Sequence, residues 1–382
     1  MIERLLRHLD AGTTEDAGAL AVCPTSVYTD VDLAIREQAE IFRARPRLLG
    51  LSGDLPTPGS FLTSVEDGVP VLAVRDGGGR FRAFVNTCRH RGAVLEERPR
   101  GVADRFACPF HAWVYDPDGR LVAVNRPDQL GDVDIEALGL VELPAVERHG
   151  MLWSHVDPTA QIDVEELLGA ALSSELAAWG LDRLTHLDSD QWDVACNWKL
   201  AMDSFGEAYH FERLHPDTVS PAFHGHVHTY DEFGNHHRMV LCNREIGEVR
   251  HRPRESWEIT RAGRVAYWLF PNVQLMPFAE GAYLLRAVPD PHDPGRHQTR
   301  ITFYAAPDAD VDGDVLSILV HQFAGTIRDE DYAMAVSQQR SAGSGLVPEV
   351  VFGRNEPALH HLHQTWRAVL GLPPLRRVER FP

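Results

Sequence analysis

Apolar and polar positions change rhythm three times along the chain. Residues 29–43 (TDVDLAIREQAEIFR) carry apolar side chains at helical spacing behind Thr29 or Asp30, either of which can cap a first turn, so a helix is predicted there. From about 59 to 155 the runs shorten, as in VPVLAVRD, FRAFVN and RLVAVN, and the turn-forming stretches DGGG, RPRG and DPDG separate them. That is the pattern of a small antiparallel β domain. Beyond about 160 the signals mix: ELLGAALSSELAAW reads as a helix, VAYWLF, VQLMPF, AYLLRAV and TRITFYAA read as strands of one sheet, and a long helix follows near 312–341. The tail LPPLRRVERFP reads as an irregular surface segment. The architecture these elements predict is α+β, with an N-terminal helical segment (1–45), a β domain (46–155) and a larger mixed domain (156–382).

Composition narrows the function classes. A chain of 382 residues exceeds the usual size of one domain, and 44% hydrophobic with 24% charged residues is ordinary for a soluble protein. No run approaches the roughly 20 apolar residues of a membrane span. The opening MIERLLRHLDAGTTEDAG has neither a basic start nor an apolar run, so no secretory signal is visible and the cytoplasm is the expected location. A net charge of -18 argues against nucleic acid and anionic membrane as partners. Nearly all the cations are arginine, Lys199 being the sole lysine, and this carries no functional weight. Cys23, Cys88, Cys108, Cys196 and Cys242 are too few and scattered for a disulfide framework, so a clustered pair reads as metal ligands.

One such pairing lies in NTCRHRGAVLEERPRGVADRFACPFHAWVYDPDGRL, where Cys88 is followed by His90 and Cys108 by His111. A hairpin can bring the two pairs together. Two thiolates and two imidazoles suit either zinc or a Rieske [2Fe-2S] cluster, in which cysteines hold one iron and histidines the other. A zinc finger normally pairs its cysteines at one knuckle, whereas here each knuckle carries one of each; mixed knuckles place both sulfurs on one side and favour the cluster. These residues, with Arg91, Gly92, Pro109, Trp113 and Gly119, resemble the Rieske ferredoxin-like domain (Cys-x-His-Arg-Gly, then Cys-Pro-x-His-x-Trp and an Asp-Gly turn). One departure is Ala112, where that family commonly has glycine; its methyl crowds the loop without touching the ligands.

A second constellation decides what such a domain serves. In NWKLAMDSFGEAYHFERLH, Glu207 and His210 are three apart and are predicted to share one helix face. His215 is five further on and can join His210 on one metal only if the helix ends between them, as Pro216 implies. Two histidines and a carboxylate form the facial triad of oxygen-activating ferrous enzymes. Candidates for the carboxylate are Asp329, Glu330 and Asp331 in TIRDEDYAMAVSQQRSAGSG, a solvated helix face being the bland alternative.

The stretch Asn197–His215, with FPNVQLMP (270–277), resembles the catalytic domain of Rieske ring-hydroxylating oxygenase alpha subunits, and the likeness covers about residues 28–345. It implies a helix-grip catalytic domain, an antiparallel sheet with a long helix, and a mononuclear Fe(II) held by His210, His215 and Asp331. Asp331 is the match because it sits eight residues before Gln339, as in that family's acidic helix. It also implies a trimer in which the cluster of one subunit faces the iron of the next, with Glu207 as the bridge. Many members have Asp there; Glu occurs in members that oxidise quaternary ammonium or aliphatic substrates, which stand beside the aromatic or heteroaromatic substrates usual for the family. Asp203 is a candidate acceptor for the second N–H of a ligating histidine.

No GxGxxG fingerprint or other flavin or nicotinamide site is evident, so reducing power must come from a separate reductase, with or without a ferredoxin. Arg89 and Arg91 beside the cluster are candidate docking residues for that donor, or simply structural ion pairs. His224, His226 and His228 alternate and are expected on one strand face, with His236 and His237 following. Tyr267, Trp268 and Phe270 read as core, a cation cage being the alternative. The rival functions are a non-catalytic Rieske electron carrier and a zinc-stapled binding protein. Substrate, choice among dihydroxylation, monohydroxylation and demethylation, and any beta subunit lie beyond one sequence.

Overall fold

Short β-branched and aromatic runs separated by glycine turns become three small sheets in the unit Phe42–His186. The computed structural model describes residues 1–380 apart from 133, 308 and 310–312, and the side chains of 313 and 314 are likewise outside the description. A five-stranded sheet runs in the order Glu142–Leu143, Phe81–Val85, Val69–Arg75, Ser60–Glu66, Arg100–Val102, antiparallel throughout. A three-stranded sheet of Phe106–Ala107, Val114–Tyr115 and Leu121–Ala123 carries the second Cys–His knuckle between its first two strands. Phe61, Leu72, Phe84, Trp113 and Tyr115 pack in one core with Cys88 and Cys108. Gly119 has φ +81° in the DPDG turn, and any Cβ there would collide with the Phe84 ring.

This unit extends past the expected division at 155 and begins before 46. The stretch ELLGAALSSELAAW belongs to it, as two helices, Val164–Leu168 and Ala170–Ala177, broken where Gly169 takes φ +74°. Polar contacts pin both to the hairpin turn after Arg148: Arg148 pairs with Glu165 at 2.6 Å and His149 Nε2 meets Ser173 Oγ at 2.7 Å.

The other unit joins Met1–Ile41 to Leu187–Pro382. Its seven-stranded sheet has the order Thr185–Val194, His297–Ala305, Gly281–Pro289, Val273–Phe278, Gly263–Leu269, His236–Asn243, Phe223–Phe233. The predicted strands are all in it. The long helix begins at Gly313 and is interrupted: Gly313–Thr326, a π-helical turn Ile327–Asp331, then Tyr332–Gly343; residue 312, its expected start, lies outside the described residues. It packs on the sheet through Phe323 against Tyr283 (ring centroids 5.1 Å) and through the Tyr332 hydroxyl, 3.0 Å from Thr299 Oγ1.

A helix over Ile2–Ala11 opens the chain, and the one predicted after Thr29 follows it: capped by Asp30, whose carboxylate accepts from Leu33 N at 3.0 Å, it runs Val31–Arg36 before a π-helical turn Glu37–Phe42. Glu37 is buried. It accepts from Trp198 Nε1 at 3.0 Å and Lys199 Nζ at 2.6 Å, and the Lys199 ammonium lies 5.2 and 5.3 Å from the Trp198 and Trp366 ring centroids. The tail is not irregular throughout: Arg376–Val378 pairs with Leu20–Pro24, which also pairs with Glu349–Phe352. Among the described residues no helix is long and apolar enough to cross a membrane.

Candidate metal centres

The two knuckles of the β unit are near copies of one another. Cys88 N donates to Ala93 O (2.8 Å) and Gly92 N to Cys88 O (3.0 Å); Cys108 N donates to Trp113 O (2.8 Å) and Ala112 N to Cys108 O (3.0 Å). Each loop needs a left-handed residue four places after its cysteine: Gly92 has φ +78° and Ala112 has φ +57°. The cysteines are buried, while His90 and His111 sit nearer the surface with ring centroids 4.6 Å apart. His90 stacks on Trp113 at 4.8 Å, and its buried Nδ1 has no hydrogen-bond partner among the described residues.

A buried, unpartnered imidazole nitrogen beside two buried thiols is what a metal cluster leaves for itself. Burial and the neighbouring His90 and Arg91 lower the His111 pKa, keeping that ring neutral and able to ligate. The Tyr115 hydroxyl accepts from Arg89 N at 2.9 Å and lies 3.6 Å from Cys88 Sγ, poised to donate to a thiolate. Arg89 itself is anchored to Gly139 O at 2.8 Å, and Arg91 lies over the exposed Phe110 ring at 5.1 Å.

In the other unit the segment after Trp198–Asp203 departs from the helix expected for Glu207. Gly206 packs so closely on Leu359 that a Cβ would collide with it, and Glu207 lies in an irregular loop. His210 then begins, and His215 ends, the single turn Phe211–Leu214. The two rings are 5.1 Å apart, and both Nε2 atoms converge on Asp331 Oδ1, at 3.4 Å from His210 and 3.1 Å from His215. Ligand atoms of these three residues all lie within 4.8 Å, and among the described residues no other group of His, Cys, Asp or Glu clusters this tightly.

Behind the triad each histidine is held by its other nitrogen. His210 Nδ1 is hydrogen-bonded to Glu207 Oε1, whose partner oxygen accepts from His210 N at 3.1 Å; His215 Nδ1 is 2.7 Å from Glu330 Oε2. Burial alone would lower the His210 pKa, but its bonds to Asp331 and Glu207 raise it to about 9. His215 is raised in the same way against its burial, by Asp331 and Glu330. Burial likewise pushes the Asp331 carboxyl up, and the two histidines overcome it, holding it below the usual carboxylate range.

Asp203 has a different place from the one expected. Its carboxylate accepts from the Tyr28 hydroxyl at 2.8 Å and meets His363 Nε2 at 2.8 Å, and His363 Nδ1 faces the buried Cys23 Sγ at 3.5 Å. The acceptor role on the triad histidines falls to Glu207 and Glu330. Asp329 is exposed and paired with Arg328 at 2.7 Å. His224 and His226 have neighbouring rings, with centroids 6.1 Å apart, but His228 does not join them: the strand is irregular between Phe223 and His228, and His228 is buried while His226 is exposed. Tyr267, Trp268 and Phe270 are buried. His236 Nδ1 accepts from Phe270 N at 3.0 Å, and His237 Nδ1 lies 3.0 Å from His361 Nδ1.

Ser204, Glu207, His210 and Asp331 form the wall between two spaces. On one side is a cavity of about 580 Å³ lined chiefly by apolar side chains, among them Phe205, Phe223, Met276, Tyr283, Phe303 and Phe323. On the other is a broad cleft of about 1100 Å³ that includes Tyr28, Asp203, Tyr209 and Glu356.

Residues 181–372 match the family model described as the ring hydroxylating alpha subunit (catalytic domain), and residues 47–138 match the Rieske [2Fe-2S] domain. The chain belongs to this family. Its catalytic domain is a non-haem iron domain, and its Rieske domain carries a [2Fe-2S] cluster. Among curated relatives, the glycine betaine monooxygenase oxygenase subunit of Chromohalobacter salexigens is 31% identical over 198 residues, covering 52% of this chain and 44% of the relative. The anthranilate 1,2-dioxygenase large subunit of Acinetobacter baylyi is 32% identical over 205 residues, covering 52% and 43%. The matches thus span less than half the length of these two relatives. A solved quaternary ammonium Rieske monooxygenase shares the fold, with a TM-score of 0.78 at 20% identity over 93% of this chain and 96% of the other. This alpha subunit accordingly has relatives on both sides of the division between ammonium and aromatic substrates.

Proposed function

We propose that the chain is the oxygenase component of a multicomponent system that hydroxylates or oxidatively demethylates a small organic substrate with O2. The observation that carries the reading is the convergence of His210 Nε2, His215 Nε2 and Asp331 Oδ1 on one point, with a glutamate behind each imidazole. When bound, a cluster on Cys88, His90, Cys108 and His111 supplies single electrons and an iron on the triad activates O2. Glu207 and Glu330 accept hydrogen bonds from the Nδ1–H of their histidines, which would leave both Nε2 atoms to hold the iron. The apolar cavity on the inner side holds the substrate and excludes water.

Glu207 reaches the opposite cleft as well, and this supports its role as the electron bridge from the cluster of a second copy of the chain, in a homotrimer served by a separate reductase or ferredoxin. An aromatic or heteroaromatic substrate fits the phenylalanine-rich cavity. A quaternary ammonium substrate is the second reading, favoured by glutamate at position 207 and by cation-attracting ring faces.

Anaerobic purification with metal and sulfide analysis tests the centres: about three irons and two sulfides per chain, with a red-brown colour that dithionite bleaches, are expected. Zinc without sulfide would overturn the reading. The Glu207→Gln protein is expected to keep that metal content and lose coupled turnover; normal turnover would remove the bridging role.

A further inference from the structure

One cation breaks the apolar lining of the cavity. Arg264 is the second residue of the strand Gly263–Leu269 and faces the cavity beside Leu241, its cross-strand neighbour. The rows of inward side chains set its position: Met239, Ala266, Met276, Tyr283 and Phe303 form one row, and Arg264 stands in the next row out, about 7 Å along the strand. The long helix runs across these rows, with Phe323 on Tyr283 and the Tyr332 hydroxyl on Thr299, which precedes Phe303 along its strand on the side away from the Arg264 row, so Asp331, next to Tyr332, lies on that opposite side. Arg264 thus occupies the end of the cavity away from the triad.

A half-buried guanidinium ordinarily meets a carboxylate. Here Nη1 donates to Thr260 O at 2.9 Å, and among the described residues Nε and Nη2 have no protein acceptor. Burial pushes the guanidinium pKa down and Glu280 pushes it back up, yet no hydrogen bond or ion pair joins the two side chains among the described residues. Glu280 also lines the cavity. The Thr260 contact uses one of five N–H donors and leaves the rest of the planar fork free on a side chain that lines the same space as Glu280, Gln274, Met276, Phe278 and Leu316.

We propose that Arg264 anchors a carboxylate of the substrate, placing that group at the far end of the cavity and the carbon to be oxidised at the triad. The second half of this statement rests on the oxygenase reading; the binding half does not. A bidentate guanidinium–carboxylate contact fixes orientation as well as affinity, and the apolar walls between the two ends accept the body of the molecule. Glu280 opposes a plain anion at this end and so tempers the affinity.

The test is titration calorimetry on the oxidised, anaerobic holoenzyme with benzoate, 2-aminobenzoate and trimethylammonioacetate, each against its methyl ester. At least one acid is expected to bind about tenfold to a hundredfold more tightly than its ester, the range of a charge-assisted hydrogen bond. Arg264→Gln is expected to abolish that preference. Arg264→Lys, which keeps a donor for Thr260 and a positive charge, is expected to retain part of it and so separates lost recognition from lost folding. Glu280→Gln is expected to tighten benzoate severalfold. A panel in which no acid outbinds its ester, or an Arg264→Gln protein that keeps the preference, would overturn the inference. Because binding is read without turnover, an enzyme that oxygenates but ignores the carboxylate fails this inference alone, and one that prefers the acid but never oxygenates fails the oxygenase reading alone.

Discussion

Ala112 is held at φ +57°, in the left-handed region that costs a residue with a Cβ about 1 kcal/mol, while its counterpart Gly92 meets the same demand freely. Ala112→Gly is therefore expected to raise the stability of the β unit by about 1 kcal/mol with sulfide content unchanged. Gly92→Ala is expected to lower it by a similar amount, although an added methyl there meets nothing within 4 Å. Thermal melts of the holoprotein check both. His363 offers a test in pH. Burial alone would lower its pKa, and the charge of Asp203, with Cys23, raises it to about 10. A histidine raised on folding contributes stability that is full below its ordinary value of about 6.5 and lost as pH climbs towards 10. Wild type is expected to lose stability relative to His363→Gln across that window, the variant itself being weaker by about 3 kcal/mol at neutral pH because Asp203 loses its cation. Parallel melts that never converge would refute the pair. The Cys–His knuckles and the two triad histidines were legible because spacing within a few residues defines them. The roles of Asp203 and Glu330 were not, because their partners, His363 and His215, lie more than a hundred residues away in sequence.

The π-helical turn Ile327–Asp331 explains how two consecutive acids serve one imidazole. Its wider winding lets Glu330 reach His215 Nδ1 while Asp331 reaches Nε2. Glu330→Ala should weaken ferrous binding by about 10- to 100-fold with the cluster spectrum intact, measured by metal titration of iron-depleted protein. An unchanged affinity would demote Glu330 to a surface acid. At this scale the inner strands of the seven-stranded sheet were readable from their apolar runs. The strand Thr185–Val194 was not: it lies at one end of the strand order, where a sequence as polar as THLDSDQWDV can pair without burying much of itself. The helix expected through Glu207 stops at Asp203, and Gly206 then passes against Leu359, a neighbour 153 residues further along the chain that no local periodicity contains.

At the scale of the whole chain, the catalytic unit is assembled from both ends of the sequence and the cluster-bearing unit is carried between them. The segment 42–186 expressed alone is expected to fold and take up a [2Fe-2S] cluster, shown by its visible spectrum. The segment 187–382 alone, deprived of Glu37 beneath Lys199 and of the strand Leu20–Pro24, is expected to be insoluble or molten. The three-stranded sheet that ties Leu20–Pro24 to Glu349–Phe352 and Arg376–Val378 therefore has a meaning in time. On the ribosome Leu20–Pro24 is made before the cluster-bearing unit and its two partner strands after it, so the strand must wait while the whole of 42–186 is translated. Maturation of the iron–sulfur centre can thus begin on a nascent chain whose seven-stranded sheet has not yet been translated.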